Sequence, residues 1–203
     1  MSVSRETRAD ELFGSNAESV LKYANLLKEV ALPRGLIGPA EAERIWDRHI
    51  ENCFPITRLF DKGSQVLDVG SGAGLPGIVI ALARPDLEVT LMEPLKRRSD
   101  FLREVSVELG LPIEVITSKA ERAKGSYHHI TARAVAPLPK LVESVWHLLK
   151  PQGSILAIKG ERAPQEIEEL RSQGVRGSSD LAIELKEIPW GDSMSRIVII
   201  RPN

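Results

Sequence analysis

The chain has 203 residues, of which 42% are hydrophobic and 27% charged, and its formal net charge is −1. This length suits one domain with a normal hydrophobic core, and no apolar run approaches the roughly 20 residues that a membrane helix needs. The single cysteine, Cys53, excludes an internal disulfide framework and is typical of a reducing, cytoplasmic compartment. No metal site is predicted, because the four histidines are not at ligand spacing. A protein that grips nucleic acid broadly is usually basic, so any contact with a polyanion has to come from local patches.

The first sixty residues are predicted to form a helical cap. Apolar residues recur at helical spacings from about Ser4 to Phe54, and Pro33-Arg34-Gly35 interrupts the pattern. A second helix is predicted from Pro39 to about Cys53, because proline suits a first helical turn. The core of this segment is too small to fold alone. We therefore expect residues 1–60 to pack as part of the same domain on residues 61–203.

An apolar run that starts at Val66 ends in a glycine-rich turn, Asp68-Val-Gly70-Ser-Gly72-Ala-Gly74-Leu75-Pro-Gly77. Glycines this close together let the backbone adopt positive φ and let a ligand approach without meeting a Cβ. The nicotinamide fingerprint G-x-G-x-x-G would place its third glycine one residue later. Asp-x-Gly-x-Gly-x-Gly instead resembles the first motif of the Rossmann-like methyltransferases that use S-adenosylmethionine (SAM).

Strand and helix patterns alternate from Gln65 onward. The predicted strands are Val66–Val69, Glu88–Met92, Ile113–Thr117, His129–Ala134, Ser154–Lys159, Leu181–Ile188 and Arg196–Arg201. The predicted helices are Gly77–Ala83, Lys96–Leu109, Leu138–Leu149 and Pro164–Gln173. This alternation indicates an α/β fold with a mostly parallel seven-stranded sheet. The last two strands are joined only by Pro189-Trp190-Gly191-Asp192, which predicts an antiparallel hairpin at the sheet edge, as in the Rossmann-like class I SAM-dependent methyltransferase fold.

Ligands of such folds bind beyond the carboxyl ends of the strands, where the glycine turn lies. Glu93 follows the second strand and is expected to accept hydrogen bonds from ribose hydroxyls. Asp68 is expected either to order the glycine turn or to reach the ammonium group of the cofactor. Ala120 and Glu121 follow the third strand, where such folds place the adenine ring.

Two basic residues end the fourth and fifth strands. Arg133 lies in an apolar strand, so its burial requires either an internal salt bridge or a contact with cofactor or substrate. Lys159 closes the fifth strand at the same sheet edge. We take Arg133 and Lys159 as the candidate catalytic residues.

Four segments carry a more specific resemblance. They are Arg44-Ile-Trp-Asp-Arg48-His49-Ile50, Leu67-Asp-Val-Gly-Ser-Gly-Ala-Gly-Leu-Pro-Gly77, Thr131-Ala-Arg-Ala134 and Ala157-Ile-Lys-Gly160. In this order they resemble the RsmG (GidB) family of bacterial rRNA guanine-N7 methyltransferases. The resemblance implies transfer of the SAM methyl group to N7 of guanine 527 in the 530 loop of 16S rRNA, on free rRNA or on the small ribosomal subunit. It also implies cofactor contacts at Gly70, Leu75, Ala120, Glu121 and Arg133.

Three other functions remain open from the residues alone. The near-neutral net charge suits a SAM-dependent enzyme that acts on a small molecule or a protein. A nicotinamide-dependent reductase is disfavoured by the glycine spacing. A non-enzymatic RNA-binding module would bind RNA in a salt-sensitive way without dependence on SAM.

Overall fold

A computed structural model describes residues 4–174, 181–191 and 193–203. Its strands are β1 (Gln65–Val69), β2 (Glu88–Met92), β3 (Glu114–Ile116), β4 (Tyr127–Arg133), β5 (Leu149–Lys159), β6 (Leu181–Trp190) and β7 (Ser193–Pro202). They form one sheet in the order β3-β2-β1-β4-β5-β7-β6. The first five strands are mutually parallel, whereas β7 runs antiparallel to both of its neighbours. The predicted mostly parallel sheet with an antiparallel edge pair is confirmed.

The α-helices are α1 (Arg5–Phe13), α2 (Ala17–Leu26), α3 (Gly77–Ala83), α4 (Lys96–Glu108), α5 (Leu138–Val145) and α6 (Ala163–Gln173). Successive strand residues point to opposite faces of the sheet. Val66 accordingly packs in a core with the cap, α3 and α4, while its neighbour Leu67 packs in a second core with α5 and α6. The molecule therefore has three layers, and the cap covers one face. None of the helices in the described ranges is both long and apolar enough to span a membrane.

The second cap helix differs from its prediction. Instead of one α-helix from Pro39 to Cys53, the chain forms a 3₁₀ segment over Pro39–Arg44 and a π-helical segment over Ile45–Glu51. Ile45 and Ile50 are both buried and lie five residues apart, which matches the i→i+5 repeat of a π-helix better than the α-helical repeat. A search for α-helical spacing alone does not detect this.

Three predicted boundaries also shift. The helix predicted over Leu138–Leu149 ends at Val145 and continues as a 3₁₀ turn, and β5 begins at Leu149 rather than at Ser154. In the link predicted between the last two strands, Pro189 and Trp190 extend β6, and Asp192 lies outside the described residues. The carboxyl end of β5 remains Lys159, as predicted.

The cap contacts the sheet edge and the glycine turn. The Phe54 ring stacks on Trp190 of β6 at a centroid distance of 5.4 Å, and Arg8 and Arg58 each lie 5.3 Å from the Trp190 ring. On the other side of the cap, the buried Tyr23 hydroxyl donates a hydrogen bond to the Ala73 carbonyl in the glycine turn (2.9 Å). Because of these contacts, we expect residues 1–60 and residues 61–203 to unfold together in one cooperative transition. This stays a prediction.

Replacement of Tyr23 by phenylalanine tests this coupling. The variant leaves the buried Ala73 carbonyl without its donor, which costs about 1–3 kcal/mol. We expect urea unfolding to give a lower free energy of unfolding by this amount, with tryptophan fluorescence and circular dichroism still reporting one coincident transition. Two separated transitions, or an unchanged midpoint, would contradict the coupling of cap and sheet.

Candidate functional site

The glycine turn after β1 is attached to the end of β2. The Gly70 and Ser71 amides both donate to the Met92 carbonyl, at 2.8 and 3.1 Å. Gly70 has a φ of 67°, and a Cβ at this position would lie 2.7 Å from the Val135 side chain. Only glycine therefore fits between the turn and the loop that follows β4.

Asp68 lies beneath this turn and is fully buried. Its Oδ2 accepts a hydrogen bond from the Gly77 amide at the start of α3 (3.0 Å), which supports an ordering role. Oδ1 has no hydrogen-bond partner among the described residues. Burial raises the pKa of Asp68 to about 7, although the nearby Ser71 hydroxyl, the hydrogen bond from Gly77 and the charge of Arg133 act in the opposite direction. Whether Oδ1 also reaches a cofactor ammonium group stays a prediction.

Glu93 holds the same turn from the β2 side. Its carboxylate is 2% exposed and accepts hydrogen bonds from the Gly72 amide at Oε2 (3.0 Å) and from the Leu95 amide at Oε1 (2.9 Å). A carboxylate has about four acceptor positions, so each oxygen retains capacity for one further donor. The carboxylate is thus held in one position at the edge of the glycine turn, and ribose binding by Glu93 stays a prediction.

A cleft of about 500 Å³ runs from the glycine turn across the ends of β2 and β3. Its lining includes Gly70, Glu93, Leu95, Ala120, Glu121 and Val135. Leu95 and Val135 are 54% and 43% exposed, which is unusual for large apolar side chains and leaves surface that a flat aromatic ring would cover. The carboxylate acceptors together with these apolar walls fit a nucleoside cofactor.

The structure separates the predicted cofactor residues into two groups. Gly70, Glu93, Ala120 and Glu121 line the cleft. Within the described ranges, the cleft lining does not include Asp68, Gly72, Gly74 or Leu75. Asp68 and Gly72 act through backbone hydrogen bonds, whereas Leu75 is 7% exposed in the core shared with the cap. Direct cofactor contacts of this second group stay predictions.

Arg133 points toward the cap instead. Its guanidinium donates to the His49 Nδ1 (2.6 Å) and to the Cys53 Sγ (3.5 Å), and His49 Nε2 lies 2.7 Å from the Glu41 carboxylate. A neutral His49 satisfies both contacts, with Nδ1 as acceptor and Nε2–H as donor. Burial and the neighbouring Arg133 lower the pKa of His49, which favours this neutral form.

Sequence reasoning did not identify Glu41 and His49 as partners of Arg133. The signal was indirect: a buried arginine needs partners, and the segment Arg48-His49 belongs to the resemblance described above. The internal salt bridge is not direct, because Arg133 contacts neutral His49, and the Glu41 carboxylate contacts the other side of the His49 ring. A role of Arg133 toward cofactor or substrate stays a prediction.

The Lys159 side chain also has hydrogen-bond partners within the protein. Its ammonium group donates to the Ala136 carbonyl (2.6 Å) and to the Glu166 Oε2 (2.8 Å), and the Leu138 amide donates to the same oxygen (2.9 Å). The Lys159 side chain is 7% exposed and that of Glu166 is 17% exposed. The pair thus fastens the loop after β4 to the end of β5.

This strand order, with β7 inserted antiparallel between β5 and β6, is that of the Rossmann-like class I SAM-dependent methyltransferase fold, and the lining of the cleft fits the nucleoside cofactor of that class. The ribosomal protein L11 methylase from Lactobacillus delbrueckii subsp. bulgaricus has a similar fold, with a TM-score of 0.59 and 18% identity over 75% of this chain and 77% of that one. The family model for GidB, described as rRNA small subunit methyltransferase G, matches residues 16–184. The chain belongs to this family.

Relatives with the name ribosomal RNA small subunit methyltransferase G support this assignment. The protein from Acidothermus cellulolyticus is 54% identical over 157 residues, which covers 77% of this chain and 71% of the relative. The protein from Mycolicibacterium gilvum is 46% identical over 197 residues, which covers 94% of this chain and 87% of the relative. Family and fold together imply the use of SAM.

Replacement of Asp68 by asparagine tests its raised pKa. Between about pH 4 and pH 7 the folded protein holds a proton on Asp68 that the unfolded chain releases, so folding becomes less favourable as the pH rises. Asparagine does not titrate, and its amide oxygen still accepts from Gly77. As the pH rises from 5 to 7, we expect the free energy of unfolding of the variant to increase by roughly 2 kcal/mol relative to that of the wild type, as measured by urea unfolding. Parallel pH profiles of the two proteins would exclude the raised pKa.

Proposed function

We propose that this protein transfers the methyl group of SAM to N7 of guanine 527 in the 530 loop of 16S rRNA. The observation that carries the proposal is the family match over residues 16–184. As a family member, the protein is a methyltransferase that acts on the rRNA of the small ribosomal subunit. An rRNA substrate implies work in the cytoplasm, where ribosomes are assembled.

Six residues of the cleft are proposed to hold SAM. Glu93 would accept the ribose hydroxyls at its remaining acceptor positions, and Gly70 would allow close approach of the cofactor to the turn. Ala120 and Glu121 would border the adenine, with Leu95 and Val135 against its faces. When bound, SAM supplies a methyl group activated by a sulfonium centre.

Transfer to N7 of guanine needs no general base. N7 carries a free lone pair, so no proton leaves before attack, and the protein contributes by alignment of the two reactants. Such alignment can contribute up to roughly 7–11 kcal/mol. A catalytic acid–base pair is therefore not required by this chemistry.

Arg133 is proposed to orient a ligand through its remaining N–H groups. A guanidinium that donates to both O6 and N7 is the commonest arginine contact with guanine, but it would occupy the reacting atom. The methylated ring also becomes cationic. A contact with the cofactor, with O6 or with a phosphate group is thus more compatible with turnover, and the His49 and Cys53 contacts hold the guanidinium in place.

Methyl transfer from radiolabelled SAM tests the proposed function. The substrates are small ribosomal subunits that lack the modification, the same rRNA without proteins, and a mixture of small metabolites and proteins. We expect label on rRNA, with nucleotide mapping at N7 of guanine 527. Label on small molecules or proteins would favour the alternative SAM-dependent enzyme, and salt-sensitive RNA binding without transfer would favour a binding module.

Replacement of Arg133 by alanine tests the role of this residue. We expect kcat/KM for methyl transfer to fall by about 10²-fold, because loss of orientation at the reacting centre has this order of effect. His49→Ala keeps the guanidinium but removes its 2.6 Å partner, so we expect an intermediate loss. Arg171→Ala, on the exposed side of α6, serves as the control. Normal turnover together with normal SAM affinity, measured by calorimetry, would exclude Arg133 from the site.

A further inference from the structure

A second cavity of about 450 Å³ lies beside the cofactor cleft. Ala134, Val135 and Ala136 line both cavities, so a single stretch of chain separates them. Ala134 has a left-handed φ of 55°, a conformation that costs a residue with a Cβ of order 1 kcal/mol or more. The Lys159 bond to the Ala136 carbonyl holds this strained segment in place. A molecule in the second cavity therefore lies directly next to the cofactor.

Two residues that line this cavity, Lys159 and Glu166, each retain hydrogen-bonding capacity. Lys159 has three N–H groups, two of which donate to the Ala136 carbonyl and to Glu166 Oε2. Glu166 Oε2 accepts from Lys159 and from the Leu138 amide, while Oε1 has no hydrogen-bond partner among the residues that the structure describes. The free N–H and the free oxygen belong to a pair whose charged atoms are 2.8 Å apart and largely shielded from water.

This pattern matches the Watson–Crick edge of guanine. O6 of guanine accepts a hydrogen bond, and the neighbouring N1–H and N2–H₂ groups donate, whereas adenine presents a donor and an acceptor in the opposite order. We propose that Lys159 donates to O6 of the target guanine and that Glu166 Oε1 accepts from N1–H and N2–H₂. This inference rests on the proposed function and adds the residues that select the base.

The order of groups along the cavity agrees with the reaction. The Ala136 carbonyl, the Lys159 ammonium and the Glu166 carboxylate follow one another at 2.6 and 2.8 Å, starting from the segment that borders the cofactor cleft. N7, O6 and N1 follow one another in the same way around the purine. In the proposed arrangement, a guanine held at O6 and N1 by Lys159 and Glu166 keeps the N7 lone pair free, and Ala136 on the O6 side borders the cofactor cleft. Bases that are modified by enzymes are commonly held by this edge.

Base analogues separate this role from a purely structural one. Small subunits are reconstituted from rRNA with either guanosine or inosine at the target, since inosine lacks only the N2 amino group. We expect the wild-type kcat/KM to be about tenfold lower for inosine, because a charge-assisted hydrogen bond is lost. In Glu166→Gln, overall transfer falls and the preference for guanosine shrinks to within about twofold. Glu168→Gln, an exposed residue of the same helix, keeps the tenfold preference.

The outcomes distinguish this inference from the proposed function. If Glu166→Gln slows guanosine and inosine equally and keeps the tenfold preference, the pair only braces the loop and the inference is wrong. A wild-type protein that transfers methyl to no subunit refutes the proposed function instead. If Glu166→Gln does not fold, 2-aminopurine at the target gives a test with the wild type alone, since this base lacks O6 and N1–H. Equal rates for guanosine, inosine and 2-aminopurine would overturn the inference.

Discussion

The structure of the site depends on two buried carboxyl groups that hold one glycine turn at different points. Asp68 accepts a hydrogen bond from the Gly77 amide, and Glu93 accepts hydrogen bonds from the Gly72 and Leu95 amides. Backbone N–H groups in a tight turn need acceptors, and Asp68 Oδ2 and the two oxygens of Glu93 supply them. The cleft exists in a defined shape because the turn cannot relax without exposing one of these groups.

The loop after β4 depends in turn on a second buried pair. Lys159 and Glu166 together bind the Ala136 carbonyl and the Leu138 amide, which fixes the chain between the two cavities. Breaking one partner of such a pair leaves an uncompensated charge, which is strongly unfavourable. The same two residues line the second cavity, and each retains capacity for one further hydrogen bond. Structure and base selection thus use the same two side chains.

The cap contributes more than cover for the apolar face of the sheet. Tyr23 reaches the glycine turn, and the chain Glu41–His49–Arg133 reaches the end of β4. Both contacts join elements that are distant in sequence at the edge where the parallel strands end. Because Arg133 contacts a histidine whose pKa is lowered rather than a carboxylate, its charge is not paired directly within this contact.

The sequence alone determined the sheet, the glycine turn and the acidic residue after β2, since strand periodicity and glycine spacing are local properties of the chain. It also placed Arg133 and Lys159 at the sheet edge, because parallel strands bring their carboxyl ends together. It did not predict the π-helical segment of the cap, whose i→i+5 spacing differs from the pattern of an ordinary helix. The contacts of His49 with Arg133 and of Glu166 with Lys159 could not be predicted in this way, because the packing of separate elements, not local spacing, brings these side chains together.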